Sequence, residues 1–278
     1  MTLLTIRQRI YLGAVAALAL WVGVWCYFVP ERSEIAIPWG VSTLCSALFG
    51  SIYLSGATFT GTSMLARRWV DARMVMPMIA MWTGGLTIVS LFYLPLFDFT
   101  RTQVWVWFGA YIVYPLIALG LVWSHRSERD LHPLDEPSVP EWAKRYLRVQ
   151  GSLLIVLGLS LLLAPHVMKV LWPWQAGKLM LQLYSIPLLT YGIGSFLFTW
   201  QRAWSEIRLG LVSIGVFTGA ELVATLFHLP LFDGHPLSIA IWLVWLAGTS
   251  GMLGLLAWKA FAFDMKNARG TEPVLIQP

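Results

Sequence analysis

The chain is short of charge. Charged residues make up 12% of it, about half the share of an ordinary soluble domain, so there is too little polar side chain to cover a water-facing surface. It is also short of cysteine. Cys26 and Cys45 are too few for a disulfide framework and read as small apolar helix residues. Catalytic motifs are missing as well. There is no phosphate-binding loop, no His-Glu metalloprotease helix, no Ser/His/Asp set within one segment, and no paired-aspartate motif of the kind that holds a diphosphate through Mg2+. These absences give no ground to expect a metal or an organic cofactor, and they leave catalysis without a candidate residue.

What is abundant is apolar length. Hydrophobic residues make up 58% of the sequence, and there are 16 tryptophans, a residue enriched where membrane meets water. About 20 apolar residues in a row span a bilayer as a helix. Eight such runs are visible, at about 10–29, 38–64, 74–94, 102–124, 149–170, 178–200, 209–229 and 237–261. Pro30 ends the first and Pro95 the third, because proline removes a helix hydrogen bond and clashes one turn back. The first run lacks a small-residue cleavage site and leads into further runs, so it is expected to stay as a span. His125 to Arg148 is the one long polar segment. It reads as a linker whose end, 141–148, forms a short interfacial helix. The net charge of +5 sits in loops, where it records topology. The lipid bilayer is the expected partner, and no nucleic acid is.

One stretch occurs twice. Residues 83–98 read TGGLTIVSLFYLPLFD and residues 218–233 read TGAELVATLFHLPLFD, aligned without a gap at an offset of 135. The offset holds far beyond that stretch. Tyr11 pairs with Tyr146, Pro30 with Pro165, and Pro38-Trp39 with Pro173-Trp174. Arg73 pairs with Arg208, Asp71 with Glu206, Trp107 with Trp242, and Trp123 with Trp258. The expected fold is therefore all-α: a polytopic membrane bundle of eight transmembrane helices arranged as two four-helix repeats. Residues 1–124 form the first repeat, 125–148 a cytoplasmic linker, and 149–278 the second repeat with a polar tail. Four is even, so the repeats should be parallel and related by an axis along the membrane normal.

Charge sets the orientation. With the N-terminus inside, only Arg32, Arg101, Lys169 and Lys178 of the 19 Lys and Arg residues fall outside. Basic loops stay cytoplasmic, so both termini are expected in the cytoplasm and the protein in the plasma (inner) membrane. Trp39 and Trp174 would mark the outer interface. Ala80 and Gly84 align with Gly215 and Gly219, giving small residues four apart where helices could approach closely.

Glu221 is the one acid inside a run, aligned with Leu86 of the other half. Counted from Leu209 it lies about 18 Å along a helix. A carboxylate at such depth costs at least about 2.5 kcal/mol unless it is protonated, paired or wetted. Thr218, Thr225 and His228 share its helical face, and Thr83, Ser90 and Tyr93 are their counterparts. One reading is a polar cavity in which Glu221 takes a proton, a cation or an amine. The other is a neutral acid bonded across to a neighbouring helix. His228 with His166 does not make a haem site, since nothing in the spacing makes them face each other. Met74, Met78 and Met81 share a face but read as adaptable packing. Asp98 and Asp233 follow Leu-Pro-Leu-Phe at the outer mouth. They read as turn residues capping the next helix, or as a pair guarding an entrance. The function expected is a small-molecule transporter or binder around Glu221, and the alternative is a non-catalytic structural or assembly protein of the membrane.

The charge asymmetry predicts that a cysteine placed at 135 will resist an impermeant thiol reagent applied to the outer face of intact cells, while one placed at 233 will react. The reverse pattern would invert the topology.

Overall fold

The structure, a computed structural model, describes residues 3–126 and 138–270. Among these the elements are helices: α1 (Ile6–Phe28), α2 (Thr43–Leu65), α3 (Trp69–Ala72), α4 (Val75–Leu91), α5 (Thr102–Ser124), α6 (Glu141–Leu163), α7 (Pro165–Leu171), α8 (Lys178–Thr199), α9 (Trp204–Phe227) and α10 (Pro236–Gly270). Short 3-10 turns cover Pro30–Ile35, Leu94–Leu96 and Leu229–Leu231. Most of the polar linker, residues 127–137, lies outside the described residues.

Seven segments are long and apolar enough to cross a membrane: α1, α3 with α4, α5, α6, α8, α9 and the Pro236–Lys259 part of α10. The protein is an all-helical chain compatible with a multi-pass membrane bundle. The expected count of eight is not reached, and α2 is the difference. It is a full 23 residues long, but Ser46, Ser51, Ser55, Thr58, Thr60, Thr62 and Ser63 dilute its apolar character. Several of those hydroxyls are satisfied by carbonyls one turn back: Thr58 on Leu54 at 2.8 Å, Thr60 on Gly56 at 2.8 Å and Thr62 on Thr58 at 2.6 Å. A hydroxyl bonded within its own helix does not compete for the backbone of a neighbour.

Helix ends follow local chemistry. Thr5 opens α1 with a capping box, its side chain accepting from the Gln8 N–H while the Gln8 side chain accepts from the Thr5 N–H at 2.8 Å. Ser42 caps α2 through the Cys45 N–H. The third segment breaks between Ala72 and Val75, where Pro77 denies Arg73 its carbonyl partner one turn on. In α9 no proline occupies the matching place, and the helix runs unbroken from Trp204, five residues ahead of the expected start. The expected interfacial helix over 141–148 is not separate; α6 starts at Glu141 and ends at Leu163, before Pro165.

Contacts recur at the offset of 135. The Leu4 N–H donates to Arg67 O at 3.0 Å, and the Val139 N–H to Arg202 O at 2.9 Å. The Trp107 indole donates to Ser90 Oγ at 3.0 Å, and the Trp242 indole to Thr225 Oγ1 at 3.2 Å. Trp39 packs on Phe97 and Trp107 with ring centroids 6.0 and 4.8 Å apart, and Trp174 on Phe232 and Trp242 at 5.4 Å each. Helix pairing repeats too. α1 packs on α2 as α6 does on α8, α4 on α5 as α9 does on α10, and α2 on α9 as α8 does on α4.

Trp39 and Trp174 lie ahead of α2 and α8, and both are buried against protein, at 5% and 1% exposure. One expectation about packing needs correction. The small residues at Gly84, Gly215 and Gly219 do not make the closest helix approaches; a Cβ on Gly219 would meet nothing within 4 Å. The close seams are α1 on α2 and α6 on α8. A Cβ on Gly23 would stand 2.9 Å from Leu54, and one on Gly158 would stand 2.7 Å from Leu189, again related by the offset. Gly50 is tighter still, because its Cβ would stand 2.5 Å from the backbone N of Tyr27. Backbone cannot yield as a side-chain tip can. Gly50→Ala should therefore lower thermal stability in detergent by about 1–3 kcal/mol, the range for overpacking. Gly109→Ala and Gly120→Ala, where a Cβ would meet nothing within 4 Å, should not. Equal melting temperatures for all three would mean that the α1–α2 seam is not set by Gly50.

Candidate functional site

Glu221 lies on α9 about 25 Å along the helix axis from Trp204, closer to the C-terminal end of the helix than counting from Leu209 suggests. Its exposure is 1%. The carboxyl is hydrogen-bonded to the hydroxyl of Ser51 on α2, and Ser51 Oγ also lies 2.6 Å from Leu48 O. A serine hydroxyl has one proton to give. Ser51 Oγ is the donor to both the Glu221 carboxyl and Leu48 O, so it shares that one proton between them. On the adjacent turn face, Tyr27 of α1 donates to Ala220 O at 2.9 Å.

The same place in the other half is apolar. The offset turns Glu221 into Leu86 and Ser51 into Ile186. Leu86 and Ile186 are both buried on α4 and α8, which pack on each other as α9 and α2 do. Beside Leu86, a Cβ on Gly85 would stand 2.7 Å from Ile186.

The other residues of the expected stripe do not converge on the carboxyl. Thr218 donates to Ile214 O at 3.2 Å, and Thr225 to Glu221 O at 2.8 Å. The Thr225 and Ser90 hydroxyls accept the indole N–H groups of Trp242 and Trp107. His228 caps the end of α9, its Nδ1 3.0 Å from Ala224 O. Tyr93 is bonded to Gln182 of α8, whose amide donates to Leu162 O at 2.7 Å. Asp98 and Asp233 take different roles. Asp98 is exposed and accepts from the Thr100 N–H at 3.0 Å and the Thr100 hydroxyl at 2.6 Å. Those bonds hold its carboxyl below the usual carboxylate pKa. Asp233 accepts from the Gln175 N–H at 3.0 Å, tying the α9–α10 turn to the loop ahead of α8. Neither caps the helix that follows it.

Sequence reasoning missed two polar clusters. Ser55 is bonded to Tyr191 of α8, whose hydroxyl lies 3.2 Å from Ser213 Oγ of α9, and Ser213 donates to Ser55 O at 2.9 Å. Near the cytoplasmic end expected from charge, Arg73 pairs with Glu206 and donates to Gln201 at 2.7 Å. Glu206 also accepts the Ala203 N–H at 3.0 Å, closing the first turn of α9. The sequence carried only a slight signal for the first cluster: Ser55 shares a face of α2 with Ser51, four residues away, which names no partner for either.

Three cavities stand out, and Glu221 lines none of them. The central one, about 60 Å³, has walls of Tyr53, Trp82, Tyr111 and Tyr191. The other two, about 230 and 850 Å³, open on the sides of the bundle. Among the described residues no group of three His, Cys, Asp or Glu could hold a metal ion. Met78 packs into the space over Gly194. Cys26 and Cys45 are free thiols, both buried. Comparison of the chain with protein-family models, with curated proteins and with solved structures gave no match.

The two indole bonds give a symmetric test. Ser90→Ala and Thr225→Val each leave a buried indole N–H without its acceptor. In double-mutant cycles with Trp107→Phe and Trp242→Phe, thermal melts in detergent should give coupling energies near 0.6 kcal/mol and not above about 1.7 kcal/mol, the span measured for side-chain bonds between membrane helices.

Proposed function

We propose that the chain is an eight-span protein of the plasma membrane that binds or carries a small molecule at an interior site containing Glu221. The eight spans are two parallel four-span units, residues 1–124 and 149–278, joined on the cytoplasmic side by 125–148. The bonds and aromatic seats repeated at the offset of 135 support the two-unit reading. In support of α2 as the eighth span, its hydroxyls find partners within the protein, and its counterpart α8 meets the apolar criterion for a span. The excess of basic residues on one face supports cytoplasmic termini.

One observation carries the functional reading: an acid stands where two helices from different halves meet, at a position that the other half fills with Leu86. A neutral acid in that seat costs less than the 2.5–3.5 kcal/mol or so of a charge at the centre of a membrane helix, yet an apolar pair serves the same packing in the other half. Retaining a proton-bearing group there fits a site that exchanges a proton with its ligand. Thr218, Thr225 and His228, on the same helix, would lie beside it, and Asp98 and Asp233 would flank the outer mouth, while Ser90 and Tyr93 are bonded elsewhere, to Trp107 and Gln182.

A second reading, a structural or assembly protein in which Glu221 is only a joint, is favoured by its 1% exposure and its bond to Ser51. Proteoliposomes loaded with a pH-sensitive dye separate the two. If the carboxyl exchanges protons, the wild-type protein will conduct a proton flux that Glu221→Gln abolishes, while both melt at similar temperatures. If it is a joint, the two will give identical traces. Glu221→Leu will then cost up to about 1.7 kcal/mol of stability, the upper end for an interhelical bond.

A further inference from the structure

The two lateral crevices are one site seen twice. The smaller lies between α1 and α5, with Leu18, Val22, Val106 and Trp107 in its walls and Ile35 and Ala36 as its roof. Adding 135 to each number gives Leu153, Leu157, Ile241, Trp242, Val170 and Leu171, all of which line the larger crevice between α6 and α10. The skeleton is shared, but the contents differ in two ways.

The first difference is space. The α1/α5 crevice holds about 230 Å³ and the α6/α10 crevice about 850 Å³. Ligand pockets run from about 300 to 1,000 Å³, so only the second is of that size. Trp21 stands in the first wall where Val156 stands in the second, and exchanging an indole for an isopropyl group opens the groove. The second difference is charge. The first roof, Pro30–Ile35, carries Glu31 and Glu34 beside Arg32. Its counterpart, α7, carries His166 and Lys169 at the positions of Glu31 and Glu34, and no acid. His235 adds its ring to the lining on the same side. Val156, Val170 and Ile241 are 64%, 77% and 61% exposed, so the groove opens sideways onto whatever surrounds the bundle, which in a membrane is lipid.

We propose that the α6/α10 crevice binds an anionic phospholipid from the surrounding leaflet. Its hydrocarbon chain lies between Leu157 and Ile241, and its phosphate sits at the roof end, where His235 lines the groove and the exposed His166 and Lys169 of α7 adjoin the lining residues Met168 and Val170. Apolar walls alone would accept any chain, and these side chains select the head. The α1/α5 crevice, narrowed by Trp21, is too small for the same molecule, and its roof offers Glu31 and Glu34 with Arg32 between them and Arg101 bonded to Glu34 O at 2.6 Å. This inference rests on the membrane reading of the fold and is independent of Glu221.

The test is native mass spectrometry of the full-length protein, delipidated in a neutral maltoside detergent. It is titrated with phosphatidylglycerol or with phosphatidylcholine of the same chains. The wild-type protein should take up one phosphatidylglycerol at least about fivefold more tightly than phosphatidylcholine, the worth of one basic residue at an anionic headgroup. The pair His166→Glu with Lys169→Glu, which copies the first roof, should erase that preference and leave phosphatidylcholine binding as it was. Val156→Trp, which copies the first wall at an exposed position, should weaken both lipids. Free inorganic phosphate should not displace the bound lipid. Melting temperatures near wild type show that both variants are folded. Equal affinity of the wild-type protein for the two lipids, a preference that survives the double substitution, or binding unaltered by Val156→Trp would each overturn the proposal.

Discussion

Trp39 and Trp174 each occupy the point where three pieces of chain meet, and one end of the bundle is arranged about them. The loop ahead of α2 or α8 turns the indole inward. The segment after α4 or α9 delivers a phenylalanine to one ring edge, and α5 or α10 delivers a second indole to another. Each aromatic pair contributes about 0.5–1.5 kcal/mol beyond its buried area, so a seat with several such pairs outweighs any single hydrogen bond nearby. This explains the Leu-Pro-Leu-Phe-Asp motif. Proline ends the helix, the leucines stay exposed, and the phenylalanine turns in to meet the tryptophan; Phe97 is 6% exposed while Leu96 is 60% exposed. In a bundle where lipid is as apolar as leucine, burial alone does not choose which face turns inward. Ring-on-ring geometry does.

The helical character of this fold was legible in the sequence from its long apolar runs, and part of its contact pattern from the stretches that recur at an offset of 135. The offset of 135 carries over to helix ends, since α1 (Ile6–Phe28) and α6 (Glu141–Leu163) match at both. Proline positions marked where helices stop, and Glu221 stood out as an acid needing an explanation. Faces were not legible. When nearly every residue of a segment is apolar, the pattern has no polar side to point outward, and so the inward turn of Trp39 and Trp174 and the tight glycines were missed. In α2, eight serines and threonines dilute the apolar signal, although several bond within their own helix. Ser51, the partner of Glu221, was invisible because a serine is chosen by what packs against it, and that contact joins residues 170 apart in the chain.

The two halves share a frame and differ in chemistry at a few matched positions. Glu221 with Ser51 stands against Leu86 with Ile186. A roof bearing His166 and Lys169 stands against one bearing Glu31 and Glu34. Val156 stands against Trp21. These exchanges leave the two aromatic seats in place, and they add to the differences in backbone already described, the break between α3 and α4 and the helix α7 in place of a 3-10 turn.

The crossed pairing of helices has a consequence for biosynthesis. Within the first half α2 makes its large contacts with α1, but its other broad face is covered by α9, and α4 meets α8 rather than α2. When α5 leaves the ribosome, α9 is still about a hundred codons from being made. During that interval Glu221, Tyr191 and Ser213, the cross-chain partners of Ser51 and Ser55, do not yet exist. Packing of the first half therefore stays incomplete until the second half is made, and the order of translation becomes part of how this chain reaches its final packing.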